Sequence, residues 1–125
     1  MRSLLLLVAA VGAVAAVQAH RQRQHTLLMT RYGQFYNSFS NRDMATAYGF
    51  MSPKYKELYT LKDFIGDSEL RDLDFENPVV RLSLLGNSAS LYQYKSGHLY
   101  SGDIHYWKRS GGKWCFTGET DWFLD

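Results

Sequence analysis

Apolar positions fall into three regimes along the chain. Residues 4–17 are an unbroken aliphatic, alanine and glycine run behind Arg2. Beyond it, Leu28, Tyr32, Phe35, Tyr36 and Phe39 recur at helical spacing and predict one stripe on a helix of roughly 15 residues. Arg31, Gln34 and Asn37 are expected on its opposite face. Asn41 suits a left-handed C-terminal position, and Asp43 can cap a second helix through Tyr48 or Phe50, which Gly49 ends or loosens. Ser52 before Pro53 is an N-cap with proline in the first turn. It predicts a third helix to about Tyr59 with Tyr55, Leu58 and Tyr59 inward. Thr60 and Asp63 resemble a capping box that opens one more turn through Phe64 and Ile65, with Gly66 and Asp67 breaking it.

From residue 79 the period changes to two. Strands are expected over 79–85, 88–94, 99–108 and 113–117, with turns at Gly86 and Asn87, at 95–98 and at 110–112. Ala89 and Leu91 share one face of the second strand, and Tyr92 and Tyr94 share the other. A last short stretch at 121–124 can pair or pack at the edge. Helices followed by antiparallel strands predict an α+β domain, with N-terminal helices packed on one face of a curved antiparallel sheet. The outer sheet face is then half-wet or buried against a second copy, a homodimer through the sheet.

The first regime reads as an address. Arg2, the apolar run, and Val17 and Ala19 before His20 have the layout of a secretory signal peptide cut after residue 19. As a helix the run reaches about 21 Å, short of the roughly 30 Å of bilayer hydrocarbon, so no stable span is expected after cleavage. The expected division is a signal peptide over 1–19, a short extension over 20–25 and one domain over 26–125. An exported protein, periplasmic or secreted, follows; the alternative is a chain tethered by the uncleaved segment. Arg21 and Arg23 lie just past the cut, where the positive-inside rule would rather place charge before it.

Composition narrows the classes. The chain has 125 residues, 46% hydrophobic and 15% aromatic, as expected for one globular domain. Fourteen Lys and Arg against 12 Asp and Glu give a net charge of +2, too even for a nucleic-acid binder. Cys115 is the one cysteine, which leaves no intramolecular disulfide and no Cys-rich zinc site. His20, His25, His98 and His105 lack metal-ligand spacing, and no phosphate-binding glycine motif is present, so neither metal nor cofactor is expected.

Several local patterns, taken in order, resemble the NTF2-like superfamily, also called the SnoaL or cystatin-like cone fold. They are Tyr-x-x-Phe-Tyr-x-x-Phe over 32–39, the hinge at Asn41, Arg42 and Asp43, and Phe50-Met-Ser-Pro53 before a helix. The stretch Tyr106-Trp-Lys-Arg-Ser-Gly-Gly-Lys-Trp114 is similar to that superfamily's Trp-x-Lys-x-x-Gly-x-Trp hairpin. The resemblance spans about residues 26–122. It implies helices closing over a bent sheet around a conical cavity and, in many members, dimers through the outer face. Enzymes of the superfamily place Asp, His and Tyr side chains in the cone, whereas other members only bind or assemble.

No catalytic set is assigned. Asp103, His105 and Tyr36 are the candidates: Asp103 and His105 lie two apart on one expected strand with Trp107, where a carboxylate can orient an imidazole base. The alternative is a polar strand face. Tyr36, Tyr48, Tyr92 and Trp107 are the candidate ligand-binding residues, the tyrosines through phenols directed at a guest and Trp107 by stacking. Trp114 is expected in the core. Trp122 is open to stacking or a dimer contact. Asp43 is explained by its cap. Arg21, Arg23 and Arg31 form a small basic face, and Cys115 is expected to be buried and inert. The expected function is a non-catalytic exported domain binding a small apolar ligand or a protein partner. The alternative is a small lyase or isomerase using the Asp-His pair and a tyrosine.

Overall fold

The computed structural model describes the backbone of residues 2–68, 75–95 and 98–118, and the side chains of 2–67, 75–93 and 104–118. Four helices precede four strands: α1 (Arg2–Ser40), α2 (Met44–Tyr48), α3 (Pro53–Leu58), α4 (Leu61–Ser68), then β1 (Val79–Leu82), β2 (Ser88–Lys95), β3 (His98–Ser110) and β4 (Lys113–Gly118). The strands form one open antiparallel sheet in the order β1-β2-β3-β4. The chain is therefore an α+β protein.

The predicted stripe is the buried face of α1: Leu28, Tyr32, Phe35 and Phe39 are buried, and Tyr36 is half-buried at its edge. The helix is far longer than expected, because the apolar N-terminal run continues it without a break. Phe35 and Tyr32 meet the inner sheet face edge-on at Trp107, with ring centroids 5.6 and 5.9 Å apart. Ala89 and Leu91 are buried on that face, and Tyr92, half-exposed, is on the other.

Local capping sets the short helices. The Asp43 carboxylate accepts from the Thr46 amide and hydroxyl at 3.4 and 2.7 Å. Ser52 Oγ accepts from the Tyr55 amide at 3.1 Å, with Pro53 filling the first helical position. The Thr60 amide donates to Asp63 Oδ2 at 2.9 Å, and the Asp63 amide donates back to Thr60 Oγ1 at 3.2 Å. The Thr60 amide first, and its hydroxyl second, hold the Asp63 carboxyl below the usual range.

Several expectations are corrected. The left-handed residue after α1 is Arg42 (φ 59°), not Asn41; the Asp43 amide reaches back to the Ser38 carbonyl at 2.9 Å and the Arg42 amide to Phe39 at 3.0 Å, which closes the helix end. Leu58 and Tyr59 are 53% and 38% exposed, because α3 is one short turn and presents only Tyr55 inward. Gly66 and Asp67 do not break α4, which continues to Ser68. β1 stops at Leu82. Leu84 and Leu85 fall in the turn, so the connection at Gly86 and Asn87 is longer than two residues and is held by Ser83 Oγ, which accepts from the Asn87 and Ser88 amides at 3.2 and 3.1 Å. The hairpin at Gly111 and Gly112 is as expected, both with positive φ. The stretch at 121–124 and Trp122 lie outside the described residues.

The sheet slips register twice, and each slip introduces extra residues that bend a strand. Tyr92 pairs with Ile104 but Gln93 pairs with Tyr100, leaving residues 101–103 as excess in β3. Trp107 pairs with Phe116 but Tyr106 with Gly118, leaving Thr117 as excess in β4. The outer edge of β4 is covered: the Ser52 amide donates to the Phe116 carbonyl at 2.8 Å and the Phe116 amide to Phe50 at 2.9 Å. Ser52 thus ties both the α3 cap and this edge. Ser52→Ala keeps the backbone bond and removes the cap, so it should lower unfolding stability by about 1 kcal/mol in urea titration.

Candidate functional site

The interior that a cone would leave hollow is filled by rings. His105 is fully buried on the inner face, stacked on Phe75 with centroids 4.1 Å apart and tilted against Phe116 at 4.7 Å. Tyr32 and Phe35 close the other sides at 6.4 Å each. Neither ring nitrogen has a hydrogen-bond partner among the described residues. Burial pushes the imidazole down to about 3, so it is neutral at ordinary pH. Trp107, pair-mate of Ala89 and equally buried, is enclosed by Tyr32, Phe35 and Phe116, and its indole Nε1 is also unpartnered.

The sequence-based candidates do not converge. The Asp103 side chain lies outside the described residues. Its backbone belongs to the excess segment 101–103 of β3. Tyr48 is half-buried among α2, α3 and α4, and its phenol donates to the Tyr59 carbonyl. Its ring packs against Phe64 at 5.8 Å and Tyr55 at 6.4 Å. The Tyr55 phenol is pushed up to about 12, first by burial and then by the charges of Asp67 and its neighbours, which removes it as a base. Tyr92 sits on the outer face under the Arg81 guanidinium, 5.2 Å from its centroid. Cys115 is buried, and burial raises its thiol against the opposing pull of Arg31, Lys56 and Lys113. No cluster of three His, Cys, Asp or Glu that could hold a metal occurs among the described residues.

Tyr36 borders a groove. Met29, Tyr32, Gly33 and Tyr36 on α1 face Phe75, Glu76, Asn77 and Pro78 across a groove of about 480 Å³. The Tyr32 phenol donates to the Phe75 carbonyl at 2.6 Å and closes the groove's inner end. Gly33 forms part of its floor, and a Cβ placed there would meet nothing within 4 Å. Gly33 was not singled out from sequence; its signal is a glycine at mid-helix, one residue after a stripe position, at a cost of roughly 0.5–1 kcal/mol against alanine.

Two further side chains were missed. Gln24 lies four residues before Leu28, is buried, and its Oε1 accepts from the Trp114 indole at 3.2 Å. Arg31, expected in solvent, donates from Nε to the Trp114 carbonyl at 3.1 Å and stacks its guanidinium 4.1 Å from the Phe50 centroid. Arg21 likewise is half-buried and donates to the Leu82 carbonyl at 3.3 Å, so only Arg23 of the expected basic face is exposed.

Comparison with family models, with curated proteins and with solved structures finds no match to this chain.

The buried imidazole predicts a pH dependence. The folded chain holds His105 neutral down to about pH 3, whereas the unfolded chain binds that proton near pH 6.5. Stability is therefore retained above pH 6.5 and falls by up to about 1.4 kcal/mol per unit as pH drops below it. His105→Leu, of similar volume, should remove this slope while changing stability at pH 7 by less than about 1.5 kcal/mol. Chemical denaturation of both proteins between pH 7 and 4.5 checks it; parallel curves would mean that His105 is not buried neutral.

Proposed function

We propose that this chain is an exported NTF2-like domain without a catalytic role, which binds a small apolar molecule in the groove beside Tyr36. The reading is carried by the groove itself: α1 and residues 75–78 stand apart there, and Gly33 puts no side chain into the gap. The volume lies within the range of small-molecule sites. Its walls are largely apolar, and the Tyr36 phenol at the rim can donate to one oxygen of the guest. The superfamily resemblance rests on helices followed by a bent antiparallel sheet, with the predicted caps and the Gly111, Gly112 hairpin in place. The ligand site differs from the implied cone: it lies at the flank of α1, while the space above Trp107 is occupied by rings.

Apolar dyes and steroids should bind with a measurable Kd by calorimetry. Gly33→Leu should fill the groove and abolish that binding with the fold intact. Gly33→Ala should retain it and raise stability by roughly 0.5–1 kcal/mol. Binding that survives Gly33→Leu would place the ligand elsewhere, and no uptake across the panel would end the reading.

For location, a signal peptide cut before His20 gives a released domain. The tethered form has one observation in its favour: α1 passes through the cut position unbroken. The mass of the N-terminus from the native host separates them. A chain beginning at His20 establishes release, and one retaining Arg2 establishes the tether.

A further inference from the structure

The residues at one end of the domain are sorted by charge and polarity. β1 and β3 both run toward this end, so the β1–β2 turn and the β3–β4 hairpin lie side by side; the Arg109 amide donates to the Asn87 carbonyl at 3.0 Å, and Ser88 pairs with Lys108. α1 enters the domain here, where Arg21 bonds the Leu82 carbonyl and a Cβ on Gly86 (φ +70°) would meet His20 and Gln24 at 3.5 and 3.4 Å. The three segments that build this end, 16–31, 81–90 and 105–116, carry seven of the chain's 14 Lys and Arg and none of its 12 Asp and Glu.

At the centre of this basic end two large apolar side chains stand in the open. Leu84 and Leu85 at the turn are 77% and 73% exposed. With Ala16, Val17 and His20 they border a notch of about 230 Å³ at the root of the protruding helix. The apolar surface of that helix, from Leu4 through Val17, is itself exposed, and the helix that carries it, Arg2–Ser40, is long and apolar enough to cross a membrane by length and composition. The turn and the helix thus make one continuous apolar surface, and the segments that build this end also carry the exposed cations Arg23 and Lys113.

We infer that this end docks on a lipid surface with anionic headgroups, the helix entering the bilayer and the Leu84, Leu85 turn lying at the acyl boundary. Phosphate headgroups complement the surrounding Lys and Arg, and the leucines leave water. A second copy of the chain presenting the same end would bring like charges together, so self-pairing is disfavoured by the charge that favours lipid. The inference rests on the tethered reading and is independent of the groove. A native chain beginning at His20 would remove the tether, whereas the experiment below reads the turn itself in the full-length chain.

An environment-sensitive fluorophore on Leu85→Cys, in a Cys115→Ala background, reports where the turn lies. Glu57→Cys, at an exposed position on α3 outside both this end and the groove, is the control. With the full chain in phosphatidylglycerol-containing vesicles, the Leu85 label should shift to the blue and brighten several-fold while the Glu57 label stays aqueous. Arg23→Glu with Lys113→Glu, both at exposed positions, should reduce the Leu85 signal, with circular dichroism confirming an unchanged fold. A Leu85 label that stays aqueous, or that responds equally on phosphatidylcholine vesicles, overturns the proposal. So does a signal that grows with protein concentration in detergent alone, which would assign the surface to a second copy.

Discussion

The structure is organised around one phenyl ring. Phe35 lies within 5.6–6.4 Å of six other rings, from Tyr32 and Phe39 on its own helix to Phe50, His105, Trp107 and Phe116. Three parts of the chain that share no local signal, α1, the segment before α3, and the inner face of β3 and β4, are brought to the same point by it. Edge-on contact with Trp107 fixes how closely helix and sheet approach. That spacing in turn leaves His105 fully buried among rings. The polar latches around Trp114, from Gln24 and Arg31, then set the helix's position along the sheet.

What the sequence made legible is what local physics decides. The stripe from Leu28 to Phe39, the caps at Asp43 and Ser52, the reciprocal bonds of Thr60 and Asp63, and the paired glycines of the last hairpin each depend on residues within a few positions, and each is present. What escaped is long-range. Gln24 and Arg31 are polar residues recruited by Trp114, some 90 and 83 positions away, and no periodicity marks them. Leu84 and Leu85 extend an alternating pattern that the Ser83 turn interrupts. The excess residues 101–103 shift the register of β3 against β2, a long-range feature that the local two-residue spacing does not announce.

The candidate site shows the same division. His105, read as a base, is an imidazole held neutral among Phe75, Phe116, Tyr32 and Phe35, where desolvation outweighs any use of its titration near neutral pH. Trp107 and Tyr48 are consumed by packing and by a backbone carbonyl. Tyr36 retains access to open space because it sits at the border of the stripe, where the neighbouring Gly33 withholds a side chain. The groove lies between α1 and residues 75–78, a juxtaposition that no local hydrophobic pattern marks.

The unbroken course of α1 has a mechanical consequence. The same rod carries the exposed apolar half and the floor of the groove, with no proline, hinge or turn between Val17 and Gly33 to decouple them. Sixteen residues separate the two, about 24 Å along the axis. Their relative azimuth is therefore fixed by helical pitch alone: one added or deleted residue would swing the groove by roughly 100° about the shaft, and a torque on one end would arrive at the other.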